Sequence, residues 1–204
     1  YRVWLLFLLY GACFGVEITI DNVAALYFKD SFHVSLALAG LLASATGMMN
    51  IFARQLGGIA GDWAGGIWGL RGRSLLLGLM VFAEGAALAM FSRITALGGA
   101  AAAYLLFGML VCMACGVTYA VVPLVRPRAI GSVSGIVGAG GNAGAVLAGF
   151  LFKAESLSGS QALFILGIAV SISAFSALLL RFRESEAPAV AMQIAPATEA
   201  QAGD

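Results

Sequence analysis

The stretch Ala37–Gly61, ALAGLLASATGMMNIFARQLGGIAG, decides the fold class of this chain. It is apolar along its length and, as a helix, is long enough to cross the roughly 30 Å hydrocarbon core of a bilayer. Its single charge is Arg54, about two thirds of the way along. A guanidinium keeps its proton, and placing it near mid-membrane costs at least about 2.5–3.5 kcal/mol. Arg54 is therefore predicted to face a cavity, a partner or an anion; the alternative is a packing or snorkelling arginine at a bundle end.

The composition of the whole chain is that of a membrane protein. Of its 204 residues, 61% are hydrophobic and only 10% are charged, and the mean hydropathy is +0.98. A soluble domain carries about 25% charged residues. The net charge of +1 and the lack of a basic cluster with interleaved aromatics exclude nucleic acid as a partner. The lipid bilayer is the expected surrounding.

Six apolar segments follow one another along the chain, separated by short polar breaks. Short connections predict adjacent antiparallel helices. The predicted fold is therefore an all-α integral membrane protein with six transmembrane helices within residues 1–182. Residues 183–204 are rich in Ala, Pro, Glu and Gln, and predict a disordered cytoplasmic tail. The segments are Val3–Phe28, Ala37–Gly61, Ser74–Phe91, Gly99–Val122, Ser132–Phe152 and Ala162–Leu180.

The basic residues of the breaks predict the orientation of these segments. Arginines dominate one side of the predicted bundle, and this side is expected to be cytoplasmic, with both termini on it. The chain starts inside an apolar stretch without a methionine or a cleavable signal, so we expect it to be the carboxyl-terminal part of a longer protein. The residues on the arginine-rich side are Arg2, Arg71, Arg73, Arg126, Arg128, Arg181 and Arg183, and those on the other side are Lys29, Arg93 and Lys153.

The first segment carries two aromatic rings and two carboxylates at helical spacing. Tyr10, Phe14, Glu17 and Asp21 are four, three and four residues apart, which places them on one helical face. The face is predicted to line a cavity that narrows from an apolar wall to a polar mouth; for the aromatic rings, a packing seam is the alternative. A carboxylate as deep as Glu17 needs a cation, a hydrogen-bond donor or a proton. An ion pair and proton coupling both remain open for it.

The fifth segment is crowded with glycines around one amide. Glycines at spacings of three and four let a neighbouring helix approach closely. Asn142 lies among them, next to Gly141 and four residues after Gly138. Because an amide cannot be left unpaired in hydrocarbon, this surface is predicted to offer a polar group to a small solute.

Cysteines and histidine give no sign of enzyme chemistry. Cys112 and Cys115 form a C-x-x-C, but it lies inside an apolar segment and has no partner for a metal site. Cys13 is expected to be a packing residue, and His33 a solvated loop residue. We expect no metal, no cofactor and no catalytic residues, since an integral membrane enzyme would need clustered His or acidic residues near a membrane face.

Four motifs resemble known transporters. Gly61-Asp62 through Arg71-Gly72-Arg73 is similar to the loop between the second and third helices of each half of the major facilitator superfamily. Within that superfamily, three further stretches resemble the seventh, eighth and eleventh helices of the nitrate/nitrite porters. They are YGACFGVEITIDNV at Tyr10–Val23, Phe52-Ala53-Arg54 with Gly57-Gly58 and Asp62, and SGIVGAGGNAG at Ser134–Gly144.

The resemblance implies a fold, a function and a site. The chain would be the carboxyl-terminal six-helix half of a twelve-helix transporter in the plasma (inner) membrane, working by alternating access. Arg54 would be one of two arginines that grip nitrate or nitrite, and the second would lie in an amino-terminal half outside this sequence. Tyr10 and Phe14 would form part of an aromatic wall, and Gly138–Asn142 would line the site. Arg126-Pro127-Arg128 departs from the paired basic residues of the family after the tenth helix.

The planar shape of nitrate agrees with the choice of an arginine. A guanidinium can meet two oxygens of a planar anion with parallel hydrogen bonds, which a lysine ammonium does less well. The residues leave open the preference between nitrate and nitrite, and the choice between proton symport and exchange. A facilitator for another small anion and an accessory half-carrier without independent transport are the alternative functions.

Overall fold

The computed structural model describes residues 1–154 and 156–182, and these residues are helical almost throughout. Two short 3₁₀ turns, Pro127–Ala129 and Ala174–Leu179, lie before α4 and after α5. The tail predicted for residues 183–204 lies outside the described residues. The helices are α1 (Arg2–Phe32), α2 (Leu36–Phe91), α3 (Leu97–Val125), α4 (Ile130–Lys153) and α5 (Gly159–Ser173).

Within the described residues, five helical stretches are long and apolar enough to cross a membrane, judged by length and composition. One of them, α2, has 56 residues. At about 1.5 Å per residue, an unbroken helix of this length would reach about 84 Å, more than twice the thickness of the hydrocarbon core. The helix must therefore bend if it is to stay within one bilayer.

Gly69 provides that bend. Its φ of 65° and ψ of −161° are not helical, and such backbone angles are essentially confined to glycine. Beyond it, Arg73 forms an ion pair with Asp62, with Nη2 and Oδ1 3.0 Å apart. Along an unbroken helix these residues would be about 16 Å apart at about 1.5 Å per residue. Residues 36–68 and 70–91 therefore fold back on each other.

The predicted break between Asp62 and Arg73 contains the reversal, but its predicted extent as a loop was wrong. The helix continues on both sides of Gly69, and the reversal needs only that residue. The second and third predicted segments are two helical arms, residues 36–68 and 70–91, joined at Gly69 within α2. The error has a physical reason: the charges and glycines that suggest a loop also suit an exposed helix end, where they face water.

Small residues set the distance between neighbouring helices. α2 packs along α3, and α1 packs along α4. A Cβ atom on Gly116 of α3 would collide with the backbone carbonyl of Arg54, and one on Gly57 would collide with the backbone of Met113. Between α1 and α4, Gly15 meets the backbone of Gly144 in the same way. These close approaches hold α2 against α3 beside Arg54, and α1 against α4.

Candidate functional site

A charged cluster lies where α1, α2 and α3 meet. Arg54 Nη2 donates to both carboxylate oxygens of Glu17, at 2.9 Å to Oε2 and 3.2 Å to Oε1. Arg54 Nε donates to Asn50 Oδ1 at 3.0 Å, and Asn50 Nδ2 in turn donates to Glu17 Oε1. The three side chains form a closed ring of hydrogen bonds. Glu17 is buried, whereas the Arg54 side chain keeps 29% of its surface exposed.

Two thiols from α3 complete the surroundings of Glu17. Cys115 Sγ donates to Oε2 at 3.3 Å, and Cys112 Sγ lies 3.9 Å from Oε1. The C-x-x-C spacing, three residues along a helix, places both thiols on one face. Within residues 1–154 and 156–182, no group of three or more His, Cys, Asp or Glu is arranged to hold a metal ion. The thiols act here as weak hydrogen-bond donors to the carboxylate.

Aromatic rings border the charged cluster on one side. Tyr10 and Phe14 are stacked, with centroids 5.0 Å apart and an interplanar angle of 11°. The guanidinium carbon of Arg54 lies 5.5 Å from the Phe14 centroid, within the range of a cation–π interaction. The ring of Tyr119, from α3, packs edge-on against the ring of Tyr10, with the two centroids 5.2 Å apart. The ring of Phe14 thus covers one flank of the Arg54 guanidinium, and 29% of the Arg54 side chain remains exposed.

α4 contributes a glycine surface to the aromatic wall. A Cβ atom on Gly141 would lie 2.5 Å from Phe14 Cδ1 and 3.0 Å from Tyr10 Cε1. The two rings thus occupy the space that a side chain at Gly141 would need. Gly138, one turn earlier, lies beside the Tyr119 hydroxyl, which would be 4.0 Å from its Cβ atom.

Asn142 takes a different position from Gly141. It is exposed, and its amide donates to the carbonyl of Gly138 in its own helix at 3.4 Å. Within the described part of the chain, no hydrogen bond joins it to Arg54. It shares its face of α4 with Gly138, because the two are one helical turn apart.

Asp21 lies outside the charged ring. Thr46 Oγ1 donates to Asp21 Oδ1 at 2.9 Å and lies 3.1 Å from the hydroxyl of Tyr104. The four residues predicted on one face of the first segment therefore have two sets of partners. Tyr10, Phe14 and Glu17 gather around Arg54, and Asp21 contacts α2 one turn further along.

The loop motif forms a second polar group around the reversal at Gly69, in the middle of α2. Besides its ion pair with Asp62, Arg73 donates from Nη1 to the carbonyl of Ala120 in α3 at 3.2 Å. Gly61 packs against the side chain of Ala120. Arg71 is exposed. This group ties the reversal at Gly69 to α3.

Sequence reasoning missed three residues of this region. Asn50 is four residues before Arg54, so its place on the same helical face was available from spacing alone. Tyr119 gave no signal beyond being an aromatic residue in an apolar segment. Glu84 is fully buried, and neither of its carboxylate oxygens has a hydrogen-bond partner among the described residues. Its signal was a lone carboxylate within an apolar segment, the same signal that identified Glu17.

Curated proteins similar to this chain are transporters by name. It is 41% identical to the high affinity nitrate transporter 2.5 of Arabidopsis thaliana, over 82% of this chain and 34% of the relative. It is 46% identical to the high-affinity nitrate transporter 2.3 of Oryza sativa subsp. japonica, over 74% and 30%. The nitrate/nitrite transporter NrtP of Picosynechococcus is 32% identical, over 78% and 30%. No family model and no solved structure matches the chain.

The fold and the site together define a class of protein. Long apolar helices around a buried charged cluster are typical of a multi-pass membrane protein that handles a polar solute. The relatives that the chain resembles are themselves named as transporters. The chain belongs to the nitrate/nitrite porter family, which confirms the resemblance of its motifs. It spans 30–34% of the length of these relatives.

Proposed function

We propose that this chain is the carboxyl-terminal half of a twelve-helix carrier of the major facilitator type. The share of the relatives' length that it spans, 30–34%, leaves room for a second half upstream. The reversal of α2 at Gly69 supports a half with six membrane crossings, because residues 36–68 and 70–91 are each long enough for one crossing. Together with α1, α3, α4 and α5 they make six crossings, which puts both ends of the half on one side. Basic residues favour the cytoplasmic side of a plasma (inner) membrane for these ends.

The complete carrier moves nitrate, nitrite or both, and Arg54 binds the anion. The observation that carries this proposal is the arginine itself, held within a membrane helix with 29% of its side chain exposed. Its guanidinium offers parallel N–H groups to a planar anion, and the ring of Phe14 covers one flank. Similarity to relatives named as nitrate and nitrite transporters supports the choice of solute.

α1 and α4 form the wall of the proposed site. Tyr10 and Phe14 present flat rings, which suit a weakly hydrated planar solute, and Gly141 lets the rings approach the α4 backbone. Gly138 and Asn142 lie on one face of α4, where a backbone and an amide can meet the solute. The two halves then rock about this central site, as in other carriers built from repeats.

An uptake measurement tests this function. The chain is joined to its upstream half, reconstituted in vesicles, and assayed for uptake of nitrate, nitrite and other small anions as the native carrier, as Arg54→Ala and as Arg93→Ala. Arg93 is a matched control, because it stacks on Phe164 at the end of α2, away from Glu17. Native uptake that persists in Arg93→Ala and collapses in Arg54→Ala supports the proposal. Folded native protein without nitrate or nitrite uptake contradicts it.

Two other functions correspond to defined outcomes of the same assay. Uptake of another small anion in place of nitrate identifies a facilitator with a different substrate. An accessory half-carrier is the other alternative, because six crossings supply only half of a transport pathway. It would assemble with another membrane protein and show no uptake when joined to an upstream half.

A further inference from the structure

A basic cavity lies at the end of the bundle where the second arm of α2 begins. It has a volume of about 430 Å³ and lies between the first turns of residues 70–91 and the chain that follows α5. This volume is within the range of about 300–1,000 Å³ that is usual for ligand pockets. Arg71, Ser74 and Leu75 line the cavity on one side, and Ala177, Leu178 and Arg181 line it on the other.

Two arginines give this cavity its charge. Arg71 and Arg181 are both exposed, and neither forms an ion pair with a carboxylate in the part of the chain that the structure describes. No aspartate or glutamate among the described residues lines the cavity. Because a guanidinium keeps its proton, the cavity is positively charged and has no counter-ion from the described residues. An anion is therefore the ligand that its charge favours.

A buried hydroxyl on the wall of the cavity also lacks a partner. Ser74 is only 3% exposed, and its Oγ forms no hydrogen bond with any residue that the structure describes. Arg71 and Ser74 are three residues apart on one helix, so they share the face that lines the cavity. A buried hydroxyl without a partner is costly, and such a group in a folded protein points to a ligand or a water. An anion in the cavity would accept this hydrogen bond.

The cavity is bordered by apolar surface as well as by arginines. Leu75, Leu178 and Leu179 are all more than half exposed. One turn beyond Ser74, a Cβ atom on Gly78 would lie 3.0 Å from the Cβ atom of Ala177, so the helix and the chain after α5 are in contact there. Charged groups beside exposed leucines suit the level of the membrane where lipid head groups meet acyl chains.

We propose that this cavity binds the phosphate group of an anionic phospholipid, whose acyl chains lie against the exposed leucines. The guanidinium groups of Arg71 and Arg181 donate to the phosphate oxygens, for which their planar fork is well suited. The Ser74 hydroxyl donates to the same group. Both arginines belong to the side predicted to be cytoplasmic, where basic pockets between membrane helices bind anionic head groups. The inference does not depend on the nitrate site proposed around Arg54.

Lipid binding to the complete carrier tests the site. The purified carrier is titrated with phosphatidylglycerol in detergent, and the bound lipid is counted by native mass spectrometry. Phosphatidylcholine is the comparison, because it has the same phosphodiester but balances it with its own ammonium group. We expect phosphatidylglycerol to bind in preference, and its binding to weaken as the salt concentration rises. Equal binding of the two lipids, or binding of neither to folded carrier, overturns the proposal.

Inorganic phosphate separates the two sources of a phosphate group. We expect it to displace phosphatidylglycerol only at a much higher concentration than that of the lipid, since it makes no contact with the leucines. Displacement at an equal concentration overturns the assignment to a lipid. Lipid binding that appears only after residues 184–204 are removed also overturns it, because a carboxylate of that segment would then be the occupant.

Matched arginine variants locate the bound lipid. With Arg71→Ala and Arg181→Ala combined, we expect the Kd for phosphatidylglycerol to rise about 30-fold, or about fivefold for each arginine. Arg126→Ala combined with Arg128→Ala is the control, because it removes the same charge from exposed positions outside the cavity. Ser74→Ala keeps both charges and should raise the Kd about twofold to tenfold. Equal weakening in the two double variants overturns the site. If the first does not fold, Ser74→Ala and the comparison of lipids decide.

Discussion

At the scale of single residues, the membrane interior of this chain is organised around one ion pair. Arg54 and Glu17 lie on different helices, and each is an expensive residue in hydrocarbon unless it is paired. Asn50 and the thiols of α3 satisfy further atoms of the pair. The arginine is thus held in place and remains partly exposed, which suits the anion-binding role proposed for it.

Substituting Arg54 by lysine tests whether the shape of the guanidinium matters. Lysine keeps the charge, but it loses the planar edge and at least one hydrogen bond to the anion. A charge-assisted hydrogen bond contributes about 1.5–3 kcal/mol, so we expect the Kd for nitrate to rise about tenfold to hundredfold. Equilibrium binding to the purified complete carrier measures this. A lysine variant with native affinity and uptake would contradict the need for two parallel hydrogen bonds.

The sequence singled out Arg54 and Glu17, but it did not show that their side chains contact each other. Arg54 and Glu17 stand out in the sequence because each is a charge in an apolar segment. That they contact each other depends on how α1 and α2 pack, and no local pattern contains this information. Glu84 is a different case. Like Glu17 it is a lone carboxylate in an apolar segment, but its neighbours in the sequence indicate no role for it.

At the scale of the elements, glycines determine how closely the helices approach. Most of the boundaries predicted from apolar periodicity agree with the helices to within a few residues, because the hydrophobic length of a crossing is fixed by the bilayer. The break between the second and third segments was predicted in this way, but not that the turn is confined to Gly69. A single-residue turn has no apolar period of its own, and several neighbouring glycines compete as candidates for it.

The contact between α4 and the aromatic wall can be tested at Gly141. In Gly141→Leu the new side chain collides with the rings of Phe14 and Tyr10, so we expect α1 and α4 to separate and nitrate uptake to be lost. Ala139→Leu is the matched control, because Ala139 is exposed and lies on the opposite side of the same helix. Retained nitrate binding together with full transport in Gly141→Leu would show that this contact has no role in transport.

The backbone at Gly69 makes a prediction about stability. An alanine there must adopt angles that cost about 1–3 kcal/mol for a residue with a Cβ atom. We expect Gly69→Ala to lower the Tm of the detergent-solubilised complete carrier, measured by the exposure of buried cysteines on heating. Gly66→Ala is the control, since it lies within the helix with open space around its Cβ position. Equal Tm values for the two variants would mean that the positive φ at Gly69 is not required.

At the scale of the whole molecule, the proposed orientation can be tested by labelling introduced cysteines from each side of the membrane. Thr95 and Arg128 are exposed and lie at opposite ends of α3. With both termini in the cytoplasm, Thr95→Cys should react with an impermeant thiol reagent in intact cells. Arg128→Cys should react only after the cells are permeabilised. The reverse pattern would contradict the orientation inferred from the basic residues.

The reversal at Gly69 also has a mechanical consequence for the proposed rocking motion. Asp62 and Arg73 form an ion pair across the turn, and Arg73 also donates to the carbonyl of Ala120 in α3. The tip of the hairpin is therefore bonded both to itself and to α3. Beyond the turn, Gly85 rests directly on the backbone of Gly167 in α5. If the proposed rocking motion tilts residues 36–68, we expect these contacts to move residues 70–91 and α5 with them. Paired probes on its two arms would keep one separation throughout the transport cycle.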